Sequence, residues 1–164
     1  MKQKKLLDKF TLDVLLNRLS CELIENHFDF QNSVLIGLQP RGIFVLSKLV
    51  KKLKDKYLIP NLKYGKLDTT FFRDDFRSKK KQPKASFSNI NFDIENKRVV
   101  LIDDVLYTGR SIRAALIAIE SYGRPTKIEL LTLINRRFTR HLPIQPDYVG
   151  INVDTLQNDR VNVN

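Results

Sequence analysis

The stretch from residue 99 to residue 115 places the strongest constraint on the fold of this chain. Residues 99–102 form a short apolar run with three β-branched side chains, which is typical of a strand buried on both faces of a sheet. Asp103 and Asp104 follow, where we expect such a strand to reach the surface. The turn at residues 108–111, which contains hydroxyl groups and a glycine, then opens a helix. The pattern therefore predicts a strand, an acidic pair and a helix N-terminus in immediate succession.

These three parts are together suited to binding a phosphorylated sugar. A helix N-terminus offers unpaired N–H groups and a partial positive charge to a phosphate. Gly109 lets the backbone approach closely, and Thr108 and Ser111 add hydroxyl donors. The carboxylates of Asp103 and Asp104 suit ribose hydroxyls, or a Mg²⁺ ion held with them. The alternative is an ordinary strand-to-helix turn with a solvated acidic pair, but the match of the whole pattern favours a phosphate-sugar site.

The rest of the chain repeats this alternation of strands and helices. Leucines spaced by three and four predict an amphipathic helix over residues 8–27, with Arg18 and His27 on its more exposed side. A second helix is expected over residues 43–56. Further apolar runs predict strands at residues 33–38, 62–72, 127–134 and 148–153. We therefore predict one α/β domain, residues 1–164, with a central, mainly parallel sheet flanked by helices.

Polar loops follow these strands, at residues 39–42, 73–92, 103–111 and 135–141. The carboxyl ends of parallel strands meet at one edge of the sheet, where open α/β sheets bind their ligands. Arg41 and Gly42 are placed there to bind pyrophosphate through a guanidinium and exposed backbone N–H groups. The lysine- and serine-rich stretch after Arg73 predicts either a disordered excursion or a flexible lid over about residues 74–92, with Arg73 at its base contacting phosphate.

Composition favours anionic partners and a reducing compartment. The formal net charge is +11, from 29 lysines and arginines against 18 acidic residues, which favours phosphorylated metabolites or nucleic acid. The single cysteine, Cys21, excludes an internal disulfide. No apolar stretch approaches the roughly 20 residues of a membrane span, and the basic start of the chain is not a secretory signal. We therefore expect a cytoplasmic protein that does not bind membranes.

The chain resembles the pyrimidine-operon attenuator/uracil phosphoribosyltransferase family, often called PyrR. Residues 99–115 resemble the motif by which type I phosphoribosyltransferases bind phosphoribosyl pyrophosphate (PRPP), and further similar stretches lie at residues 36–43, 72–76, 123–125 and 142–150. The resemblance implies a type I fold with a small hood, made from about residues 135–164 and the N-terminal helix. It implies synthesis of UMP and pyrophosphate from uracil and PRPP with Mg²⁺, in homodimers or higher homo-oligomers. In attenuating members of the family, a basic dimer surface binds leader mRNA.

The same resemblance implies roles for individual residues. Asp103 and Asp104 match the acidic pair that contacts the ribose hydroxyls and Mg²⁺, and together with Arg41 and Arg73 they form the implied catalytic set. Contacts with PRPP and its phosphates are implied for Pro40, Arg41, Gly42, Val105, Leu106, Tyr107, Thr108, Gly109, Arg110 and Ser111. The base or nucleotide is expected at Asn135, Arg136 and Val161. Arg18 and Arg140 are the remaining candidates for RNA contacts.

The chain departs from the family pattern at several positions. Asn135 stands where an aspartate is usual, which removes a negative charge near the base site. Ile151 stands where a lysine is common, and Asp154 where a proline is usual. Two alternatives therefore stay open beside uracil transfer. One is a UMP-sensing, RNA-binding regulator with weak or no catalysis, and the other is a type I enzyme for another base, such as a purine.

Overall fold

The computed structural model describes residues 5–72, 88–155 and 161, in which strands and helices alternate. The elements follow the order α1 (Lys9–His27), β1 (Ser33–Leu38), α2 (Gly42–Asp55), β2 (Lys63–Leu67), β3 (Arg98–Leu106), α3 (Arg110–Ile119), β4 (Lys127–Arg136) and β5 (Tyr148–Val153). Short 3₁₀ helices cover Thr70–Phe72, Glu120–Tyr122 and Arg137–Thr139. Among these described residues, no helix combines the length and the apolar character needed to cross a bilayer.

The described strands form one parallel sheet in the order β2–β1–β3–β4–β5. The chain runs from β1 to the edge strand β2 and then crosses back to β3, on the other side of β1. The strand order therefore reverses between β1 and β3. In open α/β sheets the ligand crevice forms outside the carboxyl ends of the strands at such a point. The predicted α/β class, with a parallel sheet flanked by helices, is confirmed.

Helices pack on both faces of the sheet and form two apolar clusters. α1 and α2 cover one face, in a cluster whose fully buried members include Leu19, Leu23, Leu35, Leu49 and Leu53. α3 covers the opposite face, in a cluster that includes Ile36, Leu101, Ile112, Ala115 and Ile119. Burying one large aliphatic side chain contributes roughly 1.5–3 kcal/mol, so the two clusters hold both helix layers against the sheet.

The edge strand β5 carries the attachment of α1. The Arg18 guanidinium donates hydrogen bonds to the carbonyl oxygens of Val149 and Gly150 in β5, at 2.8 and 2.6 Å. Arg18 therefore ties the N-terminal helix to this edge of the sheet. β5 is a strand of the main sheet although it falls within residues 135–164, the segment expected to form a hood. The hood and its boundaries stay a prediction.

β3 extends further than its apolar run indicates. It continues to Leu106, so that Asp103 and Asp104 lie within the strand, and the expectation that they follow it is wrong. The reason is that β4 runs alongside and pairs with β3 beyond the apolar segment, as far as Val105 and Leu106. The acidic pair is therefore carried on strand backbone and not on a loop.

β2 is shorter than its sequence pattern indicates. It ends at Leu67, whereas the apolar pattern predicts a strand over residues 62–72. The Asp68 carboxylate accepts a hydrogen bond from the Thr70 N–H at 2.8 Å, and this contact turns the chain into a 3₁₀ helix. A local side-chain contact thus ends the strand before its aromatic residues.

A buried polar cluster lies at the amino ends of the strands, at the opposite end of the sheet from the crevice. This lower cluster consists of His27, Ser33, Arg98, Glu129 and Tyr148. The Glu129 carboxylate accepts hydrogen bonds from Arg98 at 2.9 and 3.1 Å and from the Tyr148 hydroxyl at 3.1 Å. The two ring nitrogens of His27 contact the hydroxyls of Ser33 at 2.7 Å and Tyr148 at 3.1 Å. His27 is therefore buried, and its predicted place on the exposed side of α1 is wrong.

Burial and neighbouring charges together set the protonation states within the lower cluster. Burial, followed by the positive charge of Arg98, lowers the pKa of His27 to about 4, so its imidazole is neutral at pH 7. Burial alone would raise the pKa of Glu129, but hydrogen bonds and charges from Lys127 and Arg98 hold it below its usual value. Burial and the neighbouring Glu129 raise the pKa of Tyr148. The cluster therefore contains one carboxylate, held ionised by cations of the same chain.

Candidate active site

Two loops flank the point where the strand order reverses, and the first follows β1. The peptide bond between Gln39 and Pro40 is cis. A Cβ atom on Gly42 would lie 2.3 Å from the Ile102 carbonyl oxygen, so no side chain fits at this position. The start of α2 therefore lies directly against the backbone of β3, next to the acidic pair. Arg41 stands exposed immediately before α2.

The second loop joins β3 to α3 and borders an open cavity of about 240 Å³. Gly109 has φ 91°, in the left-handed region that favours glycine, and α3 begins at the next residue, Arg110. The turn thereby brings the N–H groups at the start of the helix to the cavity. The lining residues are Asp103, Val105, Leu106, Tyr107, Thr108, Gly109, Arg110, Ser111 and Ile112. The structure thus brings the loop residues predicted to bind phosphate together with one of the two aspartates.

The acidic pair contains a carboxylate oxygen that no described residue satisfies. Asp104 is buried, and its Oδ1 accepts a hydrogen bond from the Val105 N–H at 2.8 Å. Its Oδ2 is also buried but has no hydrogen-bond partner among the described residues. Asp103 is half-buried and lines the cavity, and its Oδ1 accepts a hydrogen bond from the Asp104 N–H at 2.9 Å. An unsatisfied buried acceptor costs roughly 1–3 kcal/mol, so Asp104 lowers the stability of the free protein, whereas Asp103 is the aspartate that lines the cavity.

The residues at this edge fit a Mg²⁺ ion that binds together with a substrate. Mg²⁺ commonly takes one or two carboxylates and completes its shell with water and substrate phosphate oxygens. Asp103 and Asp104 supply that number of carboxylates. No group of three or more His, Cys, Asp or Glu residues that could hold a metal occurs within residues 5–72, 88–155 and 161. These two carboxylates would therefore need a substrate to complete the ligand shell of a Mg²⁺ ion.

A threonine of β4 fixes the end of β3. The buried Thr132 hydroxyl accepts a hydrogen bond from the Leu106 N–H at 3.1 Å and donates one to the Ile134 carbonyl at 3.0 Å. It thereby sets where β3 ends and the cavity loop begins. The apolar pattern alone did not indicate this role of Thr132, whose only signal in the sequence is a single hydroxyl inside the apolar run at residues 130–134.

The end of β4 forms a wall beside the cavity loop. The Arg136 guanidinium lies over the Tyr107 ring, 4.1 Å from its centroid, and its Nε donates a hydrogen bond to the Thr155 hydroxyl at 2.7 Å. Arg136 is buried, whereas Tyr107, which lines the cavity, is partly exposed. The guanidinium therefore supports the aromatic side of the loop, and its predicted contact with the nucleotide stays a prediction.

The two arginines predicted to contact RNA both make contacts within the chain. Arg18 donates to the backbone of β5, as described above. Arg140 donates to the Tyr107 carbonyl through Nη1 and to Asn135 Oδ1, at 2.6 Å, through Nη2. Asn135, predicted to contact the base, is buried and also donates to Asn152 Oδ1 at 2.9 Å. RNA contacts by either arginine, and a base contact by Asn135, stay predictions.

Other predicted site residues lie outside the described chain or away from the cavity. Arg73 and residues 74–87, which make up most of the expected lid, are outside the described part of the chain. Asn89, which follows them, pairs with Lys66 of β2, so this end of the segment is anchored to the sheet. Val161 is half-buried against the apolar cluster under α1 and α2. Its predicted role near the nucleotide stays a prediction.

Comparison with known proteins identifies the family. Residues 3–164 match the family model of the phosphoribosyl transferase domain. The chain is 40% identical over 161 residues to the bifunctional protein PyrR of Elusimicrobium minutum, covering 98% of this chain and 89% of that protein. It is 42% identical over 150 residues to the bifunctional protein PyrR of Bacillus cereus, covering 90% of this chain and 82% of that protein.

A solved structure shows the same fold at lower sequence identity. A hypoxanthine phosphoribosyltransferase from Staphylococcus aureus superposes with a TM-score of 0.72 at 20% identity, covering 92% of this chain and 77% of that chain. This likeness concerns the fold alone and confirms the predicted type I phosphoribosyltransferase architecture. Together with the domain match and the close relatives, it leads to one conclusion: the chain belongs to the phosphoribosyltransferase family and, within it, to the PyrR family.

Proposed function

We propose that this chain transfers the phosphoribosyl group of PRPP to uracil, forming UMP and pyrophosphate, at the crevice between β1 and β3. The observation that carries the proposal is a cavity lined both by Asp103 and by a loop that presents N–H groups at the start of α3. A ribose 5-phosphate has hydroxyl donors at one end and a phosphate at the other. These groups complement a carboxylate and a helix N-terminus, respectively.

The proposed reaction is a nucleophilic displacement at C1 of PRPP. The bond between C1 and the pyrophosphate oxygen breaks, a ring nitrogen of uracil forms the new bond to C1, and the proton of that nitrogen is released. Positive charge develops on the ribose ring, and negative charge develops on the departing pyrophosphate. No covalent nucleophile is needed, so the protein acts by positioning the reactants and stabilising charge.

We propose a role for each of the predicted site residues. Asp103 and Asp104 accept hydrogen bonds from the ribose hydroxyls and fix the sugar. The loop at residues 108–111 holds the 5′-phosphate. Arg41, on the neighbouring loop, offsets the negative charge of the pyrophosphate. Arg73 is proposed to join it at the base of the lid, whose closure excludes water. Asp103 and Asp104 would hold a Mg²⁺ ion that arrives with PRPP, and the ion would further neutralise the pyrophosphate charge.

A comparison of bases tests the proposed substrate. The purified chain is given PRPP and Mg²⁺ with uracil, hypoxanthine or guanine, and pyrophosphate release and nucleotide formation are followed. We expect uracil to exceed either purine in kcat/KM by roughly 100-fold or more, since a site built to hydrogen-bond one base leaves polar groups unpaired with another. Faster turnover of a purine would show that the substrate is a purine base and not uracil. Failure to bind PRPP at all would refute phosphoribosyl transfer.

A second candidate function, binding of leader mRNA, is favoured by the charge of the chain and by the name of its relatives. Those relatives are called bifunctional, and this chain carries a net charge of +11. RNA affinity that depends on phosphate contacts falls steeply with salt, because each contact releases counterions. The test is fluorescence anisotropy with a pyrimidine-gene leader RNA at low and physiological salt, with and without UMP. Affinity that is insensitive to both salt and UMP would reject this role.

We also propose that the chain works in the cytoplasm as a homodimer or a higher homo-oligomer. The family membership supports this assembly, and the basic surface that binds RNA in attenuating members is formed by a dimer. Size-exclusion chromatography with light scattering measures the assembly directly. A monomer at micromolar concentration would contradict the proposal and would also weaken the RNA-binding candidate.

A further inference from the structure

The segment after β4 holds two consecutive carbonyl groups of the cavity loop. Arg140 Nη1 donates a hydrogen bond to the Tyr107 carbonyl, and the His141 N–H donates one to the Thr108 carbonyl at 3.0 Å. The Arg140 side chain also lies beside the turn, since a Cβ atom on Gly109 would be 3.7 Å from Arg140 Cδ. Arg140 and His141 therefore pack along one side of the loop.

These hydrogen bonds decide where the N–H groups of the loop point. In a trans peptide, the C=O of one residue and the N–H of the next lie in one plane and point in opposite directions. Because the carbonyls of Tyr107 and Thr108 point to Arg140 and His141, the N–H groups of Thr108 and Gly109 point away from them. Successive N–H groups arranged in this way form an anion-binding concavity. Both residues line the cavity, where a phosphate would meet these donors.

The other end of the guanidinium reaches the side of the site predicted to hold the base. Arg140 Nη2 donates to Asn135 Oδ1 at 2.6 Å, while Asn135 Nδ2 donates to Asn152 Oδ1 at 2.9 Å. The Asn135 amide is therefore fixed at both its oxygen and its nitrogen. Arg140 Nε is buried and has no hydrogen-bond partner within the described chain. The two terminal nitrogens of the guanidinium thus contact two different parts of the site, the Tyr107 carbonyl and the Asn135 side chain.

We propose that Arg140 is a positioning residue for PRPP: it aligns the N–H groups of the cavity loop through the Tyr107 carbonyl and ties that loop to Asn135. The inference rests on the proposed function, because it takes the loop to bind the 5′-phosphate. It gives Arg140 a role inside the site, distinct from the predicted contact with RNA. A guanidinium is required because its rigid, planar fork reaches two acceptors at once, whereas a lysine ammonium is a point charge on a flexible stem.

Binding of PRPP to the full chain tests this role without any base. Isothermal titration with PRPP and Mg²⁺ compares the unmodified chain with Arg140→Met and Arg140→Lys. We expect Arg140→Met to weaken the Kd for PRPP roughly tenfold, as for the loss of a charge-assisted hydrogen bond that organises the donors. Arg140→Lys restores the charge without the fork, so it should recover only a minor part of the loss.

Arg137→Gln is the matched control. Arg137 is the same residue type three positions earlier, and it forms an exposed ion pair with Asp154 at 2.6 Å. Exposed ion pairs contribute little, so its Kd for PRPP should stay within about twofold of the unmodified chain. In turnover assays a positioning role raises the KM for PRPP in Arg140→Met, with kcat changed by no more than about threefold. A general structural defect would instead lower the melting temperature and the active fraction.

The outcomes separate this inference from the proposed function. PRPP affinity of Arg140→Met within about twofold of the unmodified chain, or an equal loss in Arg137→Gln, would overturn the positioning role and leave phosphoribosyl transfer standing. Absence of PRPP binding by the unmodified chain would overturn both. If Arg140→Met does not fold, Arg140→Lys decides the question, because unchanged affinity in that variant shows that the fork is not needed.

Discussion

The two ends of the sheet both gather polar side chains, but they treat a buried carboxylate in opposite ways. At the amino end, both oxygens of Glu129 accept hydrogen bonds, from donors that include Arg98 and Tyr148. At the carboxyl end, Asp104 Oδ2 is buried without a hydrogen-bond partner in the described chain. Glu129 is 3% exposed and Asp104 is 7% exposed, so burial does not distinguish them. What differs is whether the chain itself supplies the partner.

This difference separates a structural cluster from a binding site. Removing one partner of a buried ion pair, such as that of Glu129 with Arg98, is strongly destabilising, because it leaves a charge uncompensated. An incomplete network lowers stability in the free protein, and a ligand that completes it recovers that free energy on binding. A change in the lower cluster is therefore expected to reduce stability, whereas a change in the acidic pair is expected to reduce activity.

The largest expected effect is that of Asp104→Asn. The amide keeps the shape of the side chain but loses its negative charge, so kcat/KM for PRPP should fall roughly 100- to 1000-fold, about 3–4 kcal/mol of transition-state stabilisation. The melting temperature should not fall, because a buried anion with an unsatisfied oxygen is removed. Pyrophosphate-dependent cleavage of UMP and thermal unfolding measure the two quantities. Unchanged turnover would refute the role assigned to Asp104.

Glu129→Ala is expected to show the reverse pattern. It leaves Arg98 without its carboxylate and removes one acceptor of the Tyr148 hydroxyl, which should lower the free energy of unfolding by about 3 kcal/mol. For a domain of this size, that corresponds to a fall in melting temperature of roughly 6–12 °C. The kcat/KM of the folded variant, measured well below its melting temperature, should match that of the unmodified chain. A loss of activity without a loss of stability would contradict the view that the amino end of the sheet is structural and the carboxyl end is the binding site.

Gly42→Ala is expected to affect both quantities moderately. The new Cβ would meet the Ile102 carbonyl at 2.3 Å and Asp103 Cα at 3.0 Å, so the start of α2 must move away from β3. We expect a loss of about 2 kcal/mol in the free energy of unfolding, as for overpacking in a core, together with a higher KM for PRPP. Urea unfolding and steady-state kinetics measure both. A normal KM in a destabilised variant would show that α2 can shift without disturbing the site.

The smallest expected effect is the dependence of stability on pH that His27 confers. Its pKa falls from 6.5 to about 4 on folding, so between these values the unfolded chain binds more protons than the folded one. Its contribution is therefore neutral above about pH 6.5, and stability falls as the pH drops from there to about 4. The expected loss is about 1 kcal/mol at pH 5.5.

Urea unfolding at pH 7.5 and pH 5.5 measures this loss, with His27→Gln as the comparison. The variant should lose less stability between the two pH values, because glutamine does not titrate. The usual pKa of a glutamate is 4.5, and that of Glu129 is lower still, so its own titration sets in below this range. An equal loss in both proteins would show that His27 is not the titrating group.

The fold was predictable where a strand begins and ends with its apolar run. β1 matches its predicted span of residues 33–38, because a strand covered on both faces must be apolar throughout. β3 was predicted too short, since pairing with β4 extends the strand through Asp103 and Asp104. The apolar pattern of the sequence contains no information about that pairing. β2 was predicted too long, because the contact between Asp68 and Thr70 overrides the pattern of the residues that follow.

The site was predictable where its parts are contiguous in sequence. The acidic pair and the cavity loop form one unbroken stretch, so their shared location could be inferred from the sequence. The contacts of Thr132 and Arg140 could not be inferred, since their partners in β3 and the loop lie 26 and 33 positions away. His27 and Tyr148 are separated by 121 positions. Such contacts depend on strand register and helix placement, which the apolar pattern leaves open.

The acidic pair lies on a paired strand, with β4 on one side and the start of α2 against the other. Carboxylates mounted on so stiff a frame cannot follow a ligand by more than a side-chain rotation. The ring of a ribose holds its hydroxyls at a fixed spacing before it binds. An open-chain polyol loses rotational entropy when it adopts the same spacing, which weakens its binding. Inhibitors of this protein should therefore be sought among cyclic ribose mimics, ahead of acyclic phosphonates of equal charge.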